Sequence, residues 1–574
     1  MQQLEGVTAS PGLAAGRIYR YEAPDLQGGG QPPGSPEEEQ ARLEGAYLAS
    51  FRELEKIKNS LSGSLGETYG HIFRAQMTML EDEDFKQEIK DKLKPGGLTA
   101  ETALEQTHGE YSLLFAQMEE NSYNAQRLAD LEDVSRRLRR NLLGREEVSL
   151  ACLPPESLVA AEELFPSDTA LMDRKNIRGF VTEKGGRTSH VAILAKSLGL
   201  PAAVGVPGVM AAAAKGDEAI LDVRDYDRAF LYLNPDGETA EKLKEQGRAY
   251  DESQEELLKM KDLEPVTRDG KKITLSANIG SVEDLCTAMD LGAKSVGLFR
   301  TEFLFLKSPE LPGEEEQFKV YAEAARKLKG GMLIIRTLDI GGDKEVPALA
   351  LPKEDNPFLG LRGIRVCLKN RDLFLTQLRA LLRAAAEGDI RIMFPMISSV
   401  QEFRLARDLV REAAADLAAR GVPHKPDPPL GVMVETPAAV FLADELTREG
   451  SFVSLGTNDL TQYVLCVDRG NQELSSYYQT FHPGLFRGIA MTAGAAVKNG
   501  KWAGVCGELA SHPQAVPLLI GLGVEELSVT PQLFPQTLAV IRGLNYEECR
   551  GRAQKALSLA TDDEIRAFLQ SRGN

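Results

Sequence analysis

The run Gly185-Gly186-Arg187-Thr188-Ser189-His190 sets a nucleophile beside an anion cradle. Two glycines let backbone amides approach a phosphoryl group closely. Thr188 or Ser189 can cap the helix predicted by the apolar spacing of 191–198, and a helix N-terminus offers partial positive charge to an anion. Arg187 adds a formal charge. A lone histidine at a helix start ordinarily makes a structural hydrogen bond; the Gly-Gly-Arg-Thr-Ser context turns the reading toward a phosphorylatable histidine.

A second constellation lies far downstream. Arg300 follows the apolar run Val296-Gly297-Leu298-Phe299, Arg336 follows Leu333-Ile334-Ile335, and Glu435 follows Val432-Met433-Val434. Asn458 and Asp459 follow Leu455-Gly456-Thr457, and Cys506 follows Gly504-Val505. If the runs are strands of one barrel, these residues gather at its C-terminal face, where two guanidiniums and two carboxylates read as a phosphate clamp with a hard cation. Any one of them alone could be a structural ion pair; agreement across five strands argues for a site. A lone cysteine is usually a small buried hydrophobe, but Cys506 sits at a strand end in Cys-Gly-Glu-Leu, which points to catalysis.

The elements that must position these groups follow from the pattern. From residue 273 onward, seven short apolar runs alternate with amphipathic helices, and a weaker run near Gly363-Ile364-Arg365-Val366 makes an eighth. This predicts a (β/α)8 barrel over 264–574, with a doubly wound open sheet as the structural alternative. Upstream, strand-like runs at 5–21, 158–161, 179–182, 219–223 and 229–233 flank the His190 helix and predict a phosphohistidine α/β domain made of 1–27 and 144–236. A Gly/Pro-rich linker begins at Gly28, and 28–143 reads as an inserted helical bundle. Its segment 71–80 is apolar and methionine-bearing and ends in the acidic cluster 81–84, which reads first as core packing with a solvated end. Residues 237–263 are charged and helical in pattern, a linker between halves.

Composition narrows the function. A chain of 574 residues with 43% hydrophobic content supports several cores. A formal charge of −18 argues against nucleic acid and suggests a partner with a basic face. Six cysteines without a C-x-x-C spacing imply neither a zinc site nor a disulfide framework. No signal peptide and no membrane span is expected, so the cytoplasm is the natural assignment.

The 185–190 run and its continuation Gly199-Leu200-Pro201-Ala202-Ala203-Val204-Gly205 resemble the swivelling phosphohistidine domain of the phosphoenolpyruvate-utilising family. Within it, Arg187 and the chain length are most similar to the enzyme I branch of the bacterial phosphotransferase system. The resemblance runs from Leu4-Glu5-Gly6-Val7 to beyond Cys506 and includes Gly297 to Phe305, Arg336 to Lys344, Asn356 to Arg362, Val434 to Ala439, Gly456 to Tyr463, Val467 to Asn471 and Cys506 to Ala510.

It implies that Arg300, Arg336 and Arg469 hold the phosphate of phosphoenolpyruvate, with Lys344, Arg362 and Asn458 also binding substrate. It further implies that Glu435 and Asp459 ligate Mg²⁺, that Cys506 protonates the enolate, and that His190 passes phosphate to the phosphocarrier protein HPr docked on the helical bundle. Sugar uptake would begin with this step. A homodimer through the barrel is implied as well. Gln76 stands where some family members carry a histidine.

Two competing readings remain at the level of sequence. A phosphoenolpyruvate synthase or pyruvate phosphate dikinase needs an ATP-binding domain, for which there is no room before Leu4 and no Gly-x-x-x-x-Gly-Lys-Ser/Thr loop. A non-catalytic regulator binding HPr or phosphoenolpyruvate is opposed by intact His190, Arg300, Arg336, Glu435, Asp459 and Cys506.

Overall fold

The computed structural model describes residues 1–22, 33–61, 73, 76–117, 122–145, 150, 153–165, 168, 172, 175–186, 190–306, 310–342, 349, 351–352, 354–469, 471, 474 and 476–571. The chain divides into two compact units, 1–253 and 254–574. A helix, Gly237–Lys259, carries the chain from one to the other. Among the described residues no helix is long and apolar enough to cross a membrane.

Among the described residues of the first unit, seven strands close into a barrel: β1 (Gln2–Ser10), β2 (Gly12–Tyr21), β3 (Ser157–Ala161), β4 (Ile177–Thr182), β5 (Ala202–Val204), β6 (Glu218–Val223) and β7 (Arg228–Leu233), in the order β1-β5-β4-β3-β2-β6-β7. The β2–β3, β3–β4 and β4–β5 pairs are parallel and the others antiparallel. Between β2 and β3 the chain forms the helices Pro36–Leu61, Glu83–Leu93, Ala100–Gln117 and Ser122–Leu142. The expected linker falls partly outside the described residues, at 28–32, as do 71, 72, 74 and 75 of the methionine-bearing segment.

Phe73, Gln76 and Leu80 of that segment are buried, and Met77 and Met79 pack against the same helical core. The acidic cluster has a local duty: Asp82 caps the following helix by accepting from the amides of Asp84 at 2.9 Å and Phe85 at 3.2 Å. Gln76 donates to Asp133 at 2.9 Å in the interior of the bundle.

The second unit is a closed parallel barrel. Among the described residues its eight strands run in sequence order, β8 (Thr274–Ile279), β9 (Val296–Arg300), β10 (Leu333–Arg336), β11 (Ile390–Phe394), β12 (Leu430–Val434), β13 (Phe452–Leu455), β14 (Ala503–Val505) and β15 (Glu526–Val529), and β15 returns to pair with β8. The strands are short and nearly all buried, as a sheet covered on both faces requires. Ser281 with Asp284 and Ser399 with Glu402 form capping boxes that start two of the outer helices. Phe394 packs edge-on between Phe374 and Phe403, at ring separations of 6.2 and 6.1 Å.

One expected strand is a helix. Gly363-Ile364-Arg365-Val366 does not pair with the sheet; the helix Ile364–Lys369 starts there, after Gly363 at φ 57°. Ile364, Val366 and Cys367 are buried on it, while Arg365 turns back to the carbonyls of Leu359 and Gly360. The eighth strand is Glu526–Val529, whose first residue is a carboxylate.

Candidate active site

Around His190 the backbone geometry is set by glycine. Gly185 takes φ 101°, a conformation open to glycine and strained for side chains. Gly186 follows it, and the helix His190–Leu198 begins at the histidine itself. Arg187, Thr188 and Ser189 lie outside the described residues. The helix is held from two sides: Val191, Ala192 and Ala195 enter the α/β core, and Leu194 enters the core of the helical bundle. A histidine at the first position of so anchored a helix sits at the positive end of its dipole.

At the C-terminal end of the second barrel the predicted groups gather around buried charges. Arg300 ends β9 and opens to solvent, with no ion-pair partner among the described residues. The protein wall around it, and the Arg336 cation beside it, draw its pKa below the ordinary value. Arg336 ends β10 and is buried. It donates to Glu302 at 2.9 Å, pairs with Asp339 at 3.2 Å and lies 3.5 Å from the sulfur of Met433. Burial opposes its charge, but Glu302, Asp339, Glu435 and Asp459 outweigh that and hold its pKa above the usual range. Glu302 also accepts from the Asp339 amide at 3.0 Å, so one carboxylate fixes both the cation and the loop after β10.

Arg362 is held among the same carboxylates as Arg336. It is 0% exposed. Its guanidinium makes a two-pronged pair with Asp339, 3.2 Å on each arm, and reaches Asp459 at 3.1 Å and the Tyr463 hydroxyl at 3.3 Å. Burial works against its charge, and Asp339 and Asp459 overcome it. In this arrangement Arg362 braces the carboxylates of Asp339 and Asp459.

Glu435 and Asp459 are the candidate metal ligands. Glu435 is buried at the end of β12; one oxygen accepts from the Met396 amide at 2.6 Å and the other has no hydrogen-bond partner. Burial, and then repulsion from Asp339 and Asp459, push its carboxyl up, against the pull of Arg336 and Arg362. Asp459 lies in the first turn of the helix Thr457–Leu465 that follows β13. Burial would raise its pKa as well, but Arg362 at 3.1 Å and Arg469 at 3.6 Å hold it below the ordinary value. Among the described residues no three His, Cys, Asp or Glu side chains form a ready-made cage. An unpartnered buried carboxylate oxygen beside a second carboxylate nevertheless fits a hard divalent cation that takes few protein ligands and keeps water or substrate oxygens.

Asn458 is half-buried; its side-chain oxygen accepts from the Glu508 amide at 3.0 Å, and its backbone carbonyl accepts from Tyr478 at 2.9 Å. Cys506, just past β14, is buried with its thiol 3.6 Å from the Leu455 carbonyl. Burial pushes the thiol up to about 12 while the Ser454 hydroxyl pulls the other way. Lys344 lies outside the described residues.

The structure therefore brings Arg300, Arg336, Glu435, Asn458, Asp459, Arg469 and Cys506 to one end of one barrel. Glu302, Asp339 and Tyr463 were given no role from sequence, yet they hold the arginines in place. The spacing Arg336/Asp339, with Glu302 two positions beyond Arg300, was the available signal.

Fold and site together suit an enzyme that handles a phosphorylated substrate at the C-terminal face of a barrel. Residues 254–546 match the PEP-binding domain model of the PEP-utilising enzymes, 5–127 their N-terminal model and 153–225 their mobile-domain model. The phosphoenolpyruvate-protein phosphotransferase of Bacillus subtilis (strain 168) is 40% identical over 570 residues, covering 99% of this chain and 99% of that one. That of Geobacillus stearothermophilus is 40% identical over 567 residues, 99% of this chain and 97% of that one. A solution structure of an enzyme I protein, 33% identical, covers 43% of this chain and 99% of its own length at a TM-score of 0.37. The chain belongs to the phosphoenolpyruvate-protein phosphotransferase family.

Proposed function

We infer that the protein transfers the phosphoryl group of phosphoenolpyruvate to its own His190 and then to HPr, releasing pyruvate, as the first step of phosphotransferase-system sugar uptake. The observation that carries this reading is the convergence of Arg300, Arg336 and Arg469 with Glu435, Asp459 and Cys506 at one barrel mouth, in a chain whose other unit starts a helix on a histidine behind two glycines.

Arg300, Arg336 and Arg469 hold the phosphate, and Lys344 belongs to the same clamp. The Asn458 carbonyl is occupied by Glu508, which leaves its amide NH₂ for the phosphate end. Arg362, which the same clamp includes, also positions Asp459 and Asp339. We assign the divalent cation as Mg²⁺, held by Glu435 and Asp459; when bound it neutralises charge on phosphate and enolate oxygens. Neutral His190, cradled by Gly185, Gly186, Arg187, Thr188 and Ser189, attacks phosphorus in line, and preorganised cations stabilise the charge that develops. The Cys506 thiol, with its pKa near 12, keeps its proton until the carbon of the enolate takes it.

The helical bundle between β2 and β3 is the docking platform for HPr, and Gln76 is tied to Asp133 in its interior. The protein works in the cytoplasm as a homodimer through the barrel, where the packed helices Pro437–Phe441 and Pro483–Lys498 expose Phe441 and Met491. Incubation of the full chain with labelled phosphoenolpyruvate, with and without Mg²⁺ and HPr, tests the reading. Acid-labile label on His190 that moves to HPr supports it. Label that needs no cation, or that never leaves the chain, contradicts it.

A further inference from the structure

The barrel interior holds a carboxyl group that the chemistry above leaves idle. Glu526 opens β15 and is 1% exposed; neither of its oxygens makes a hydrogen bond of ordinary geometry, and the Ser276 hydroxyl is the polar group that acts on it. It lies in a slot cut by two glycines. A Cβ at Gly297 of β9 would stand 2.0 Å from one oxygen, and a Cβ at Gly504 of β14 would stand 2.2 Å from the other. Glu526 pairs with Gly504 in the β14–β15 ladder. Cys506 lies two residues past Gly504, and residues two apart along a strand share a face. The thiol thus occupies the next inward place beyond the carboxyl.

Among the described residues no charged side chain is found to act on the Glu526 carboxyl. Ser276 faces it from β8, Ser528 from β15 and Trp502 from the segment before β14. Lys271 and Glu525, the nearest ions in sequence on those elements, pair with each other at 3.0 Å. Burial pushes Glu526 up to about 8, with the Ser276 hydroxyl pulling the other way. Its carboxyl in turn adds to the rise of the Cys506 thiol.

We propose that Glu526 is the proton reserve of the site: once the Cys506 thiol has given its proton to the enolate carbon, the Glu526 carboxylic acid returns one to the thiolate. The proposal rests on the reading of Cys506 as the acid that makes pyruvate. In the first step the S–H bond breaks as the C–H bond forms. In the second the O–H bond of Glu526 breaks as S–H forms again. The carboxylate left behind takes a proton from water by way of the Ser276 and Ser295 hydroxyls, 2.9 Å apart, at the end of the barrel where β9 begins. A proton moving from a group near 8 to one near 12 goes downhill, which gives the relay its direction.

Rapid-quench measurement of pyruvate, with the full chain, Mg²⁺, phosphoenolpyruvate and excess HPr, separates the outcomes. Glu526→Gln should release its first pyruvate per site at the parental rate. Later turnovers should then slow about 100-fold, the lower end of what a positioned proton donor supplies. The parent's later turnovers should lose rate as pH rises through 8, and that limb should be missing from the variant. A variant without a burst, with the parental steady rate and pH profile, overturns the proposal. Cys506→Ala run beside it distinguishes the failures: a first turnover as fast as the parent's removes Cys506 as the acid, whereas a slow one together with a burst-free Glu526→Gln removes only the reserve. Should the glutamine variant not fold, infrared titration of the parent remains decisive. A protonated-carboxyl stretch that vanishes near pH 8 and shifts in Cys506→Ala supports the proposal, and the absence of such a band overturns it.

Discussion

Replacing Arg336 by lysine keeps the charge and removes the fork. The guanidinium is held by Glu302 at 2.9 Å and Asp339 at 3.2 Å, so its plane is fixed before any substrate arrives. An ammonium with the same charge cannot satisfy those carboxylates and also present two parallel donors to a phosphate. Losing one charge-assisted hydrogen bond costs about 1.5–3 kcal/mol. At roughly 1.4 kcal/mol per tenfold this predicts a fall of about 10- to 150-fold in kcat/KM for phosphoenolpyruvate. The assay is initial-rate phosphorylation of His190 at several substrate concentrations, beside a thermal melt of each protein to exclude a folding defect. A kcat/KM within threefold of the parent, on a protein that melts normally, would remove Arg336 from the clamp and leave it a structural cation.

His190→Ala should abolish phosphorylation while changing phosphoenolpyruvate affinity by less than about tenfold, roughly 1.4 kcal/mol, and calorimetric titration reads the difference. Arg362→Gln takes from Asp339 and Asp459 the fully buried cation they share, so the barrel should lose about 3–5 kcal/mol of stability; a normal urea midpoint would deny the bracing role. Glu526 stabilises the fold through its protonated form. Its contribution is full below the ordinary carboxyl value of 4.5 and is lost as pH rises to about 8. Over that window the parent's barrel transition should weaken against Glu526→Gln by up to about 1.4 kcal/mol per pH unit, and parallel stability curves would show that the carboxyl ionises freely.

Much of this molecule can be read from its sequence, and the failures share a physical cause. Strands buried on both faces, such as Leu333–Arg336 and Leu430–Val434, announce themselves as continuous apolar runs closed by a charge. Glu526–Val529 does not, because its inward position is a carboxyl that only the missing side chains of Gly297 and Gly504 make room for. Ile364 and Val366 look like a strand because the sequence does not reveal that Gly363, at φ 57°, precedes a helix and that Asn370 ends it. In the first unit, closure depends on β1 pairing with both β5 and β7, contacts between segments some two hundred residues apart that no local pattern records. At the site, residue type pointed to the arginines as candidate phosphate binders. It could not tell Arg300, open to solvent, from Arg362, which is buried and bonded to Asp339, Asp459 and Tyr463.

The central claim is a division of labour, with the phosphate carrier on one unit and the phosphoenolpyruvate ligands on the other. A fragment ending at Lys259 retains the whole of the first compact unit and its connecting helix. Offered labelled phosphate from each donor separately, it should take label from phosphorylated HPr and return it, since transfer between two histidines needs only docking and the His190 cradle. It should take none from phosphoenolpyruvate and Mg²⁺. Uptake directly from phosphoenolpyruvate, or none from phosphorylated HPr by a fragment that folds, would contradict the account.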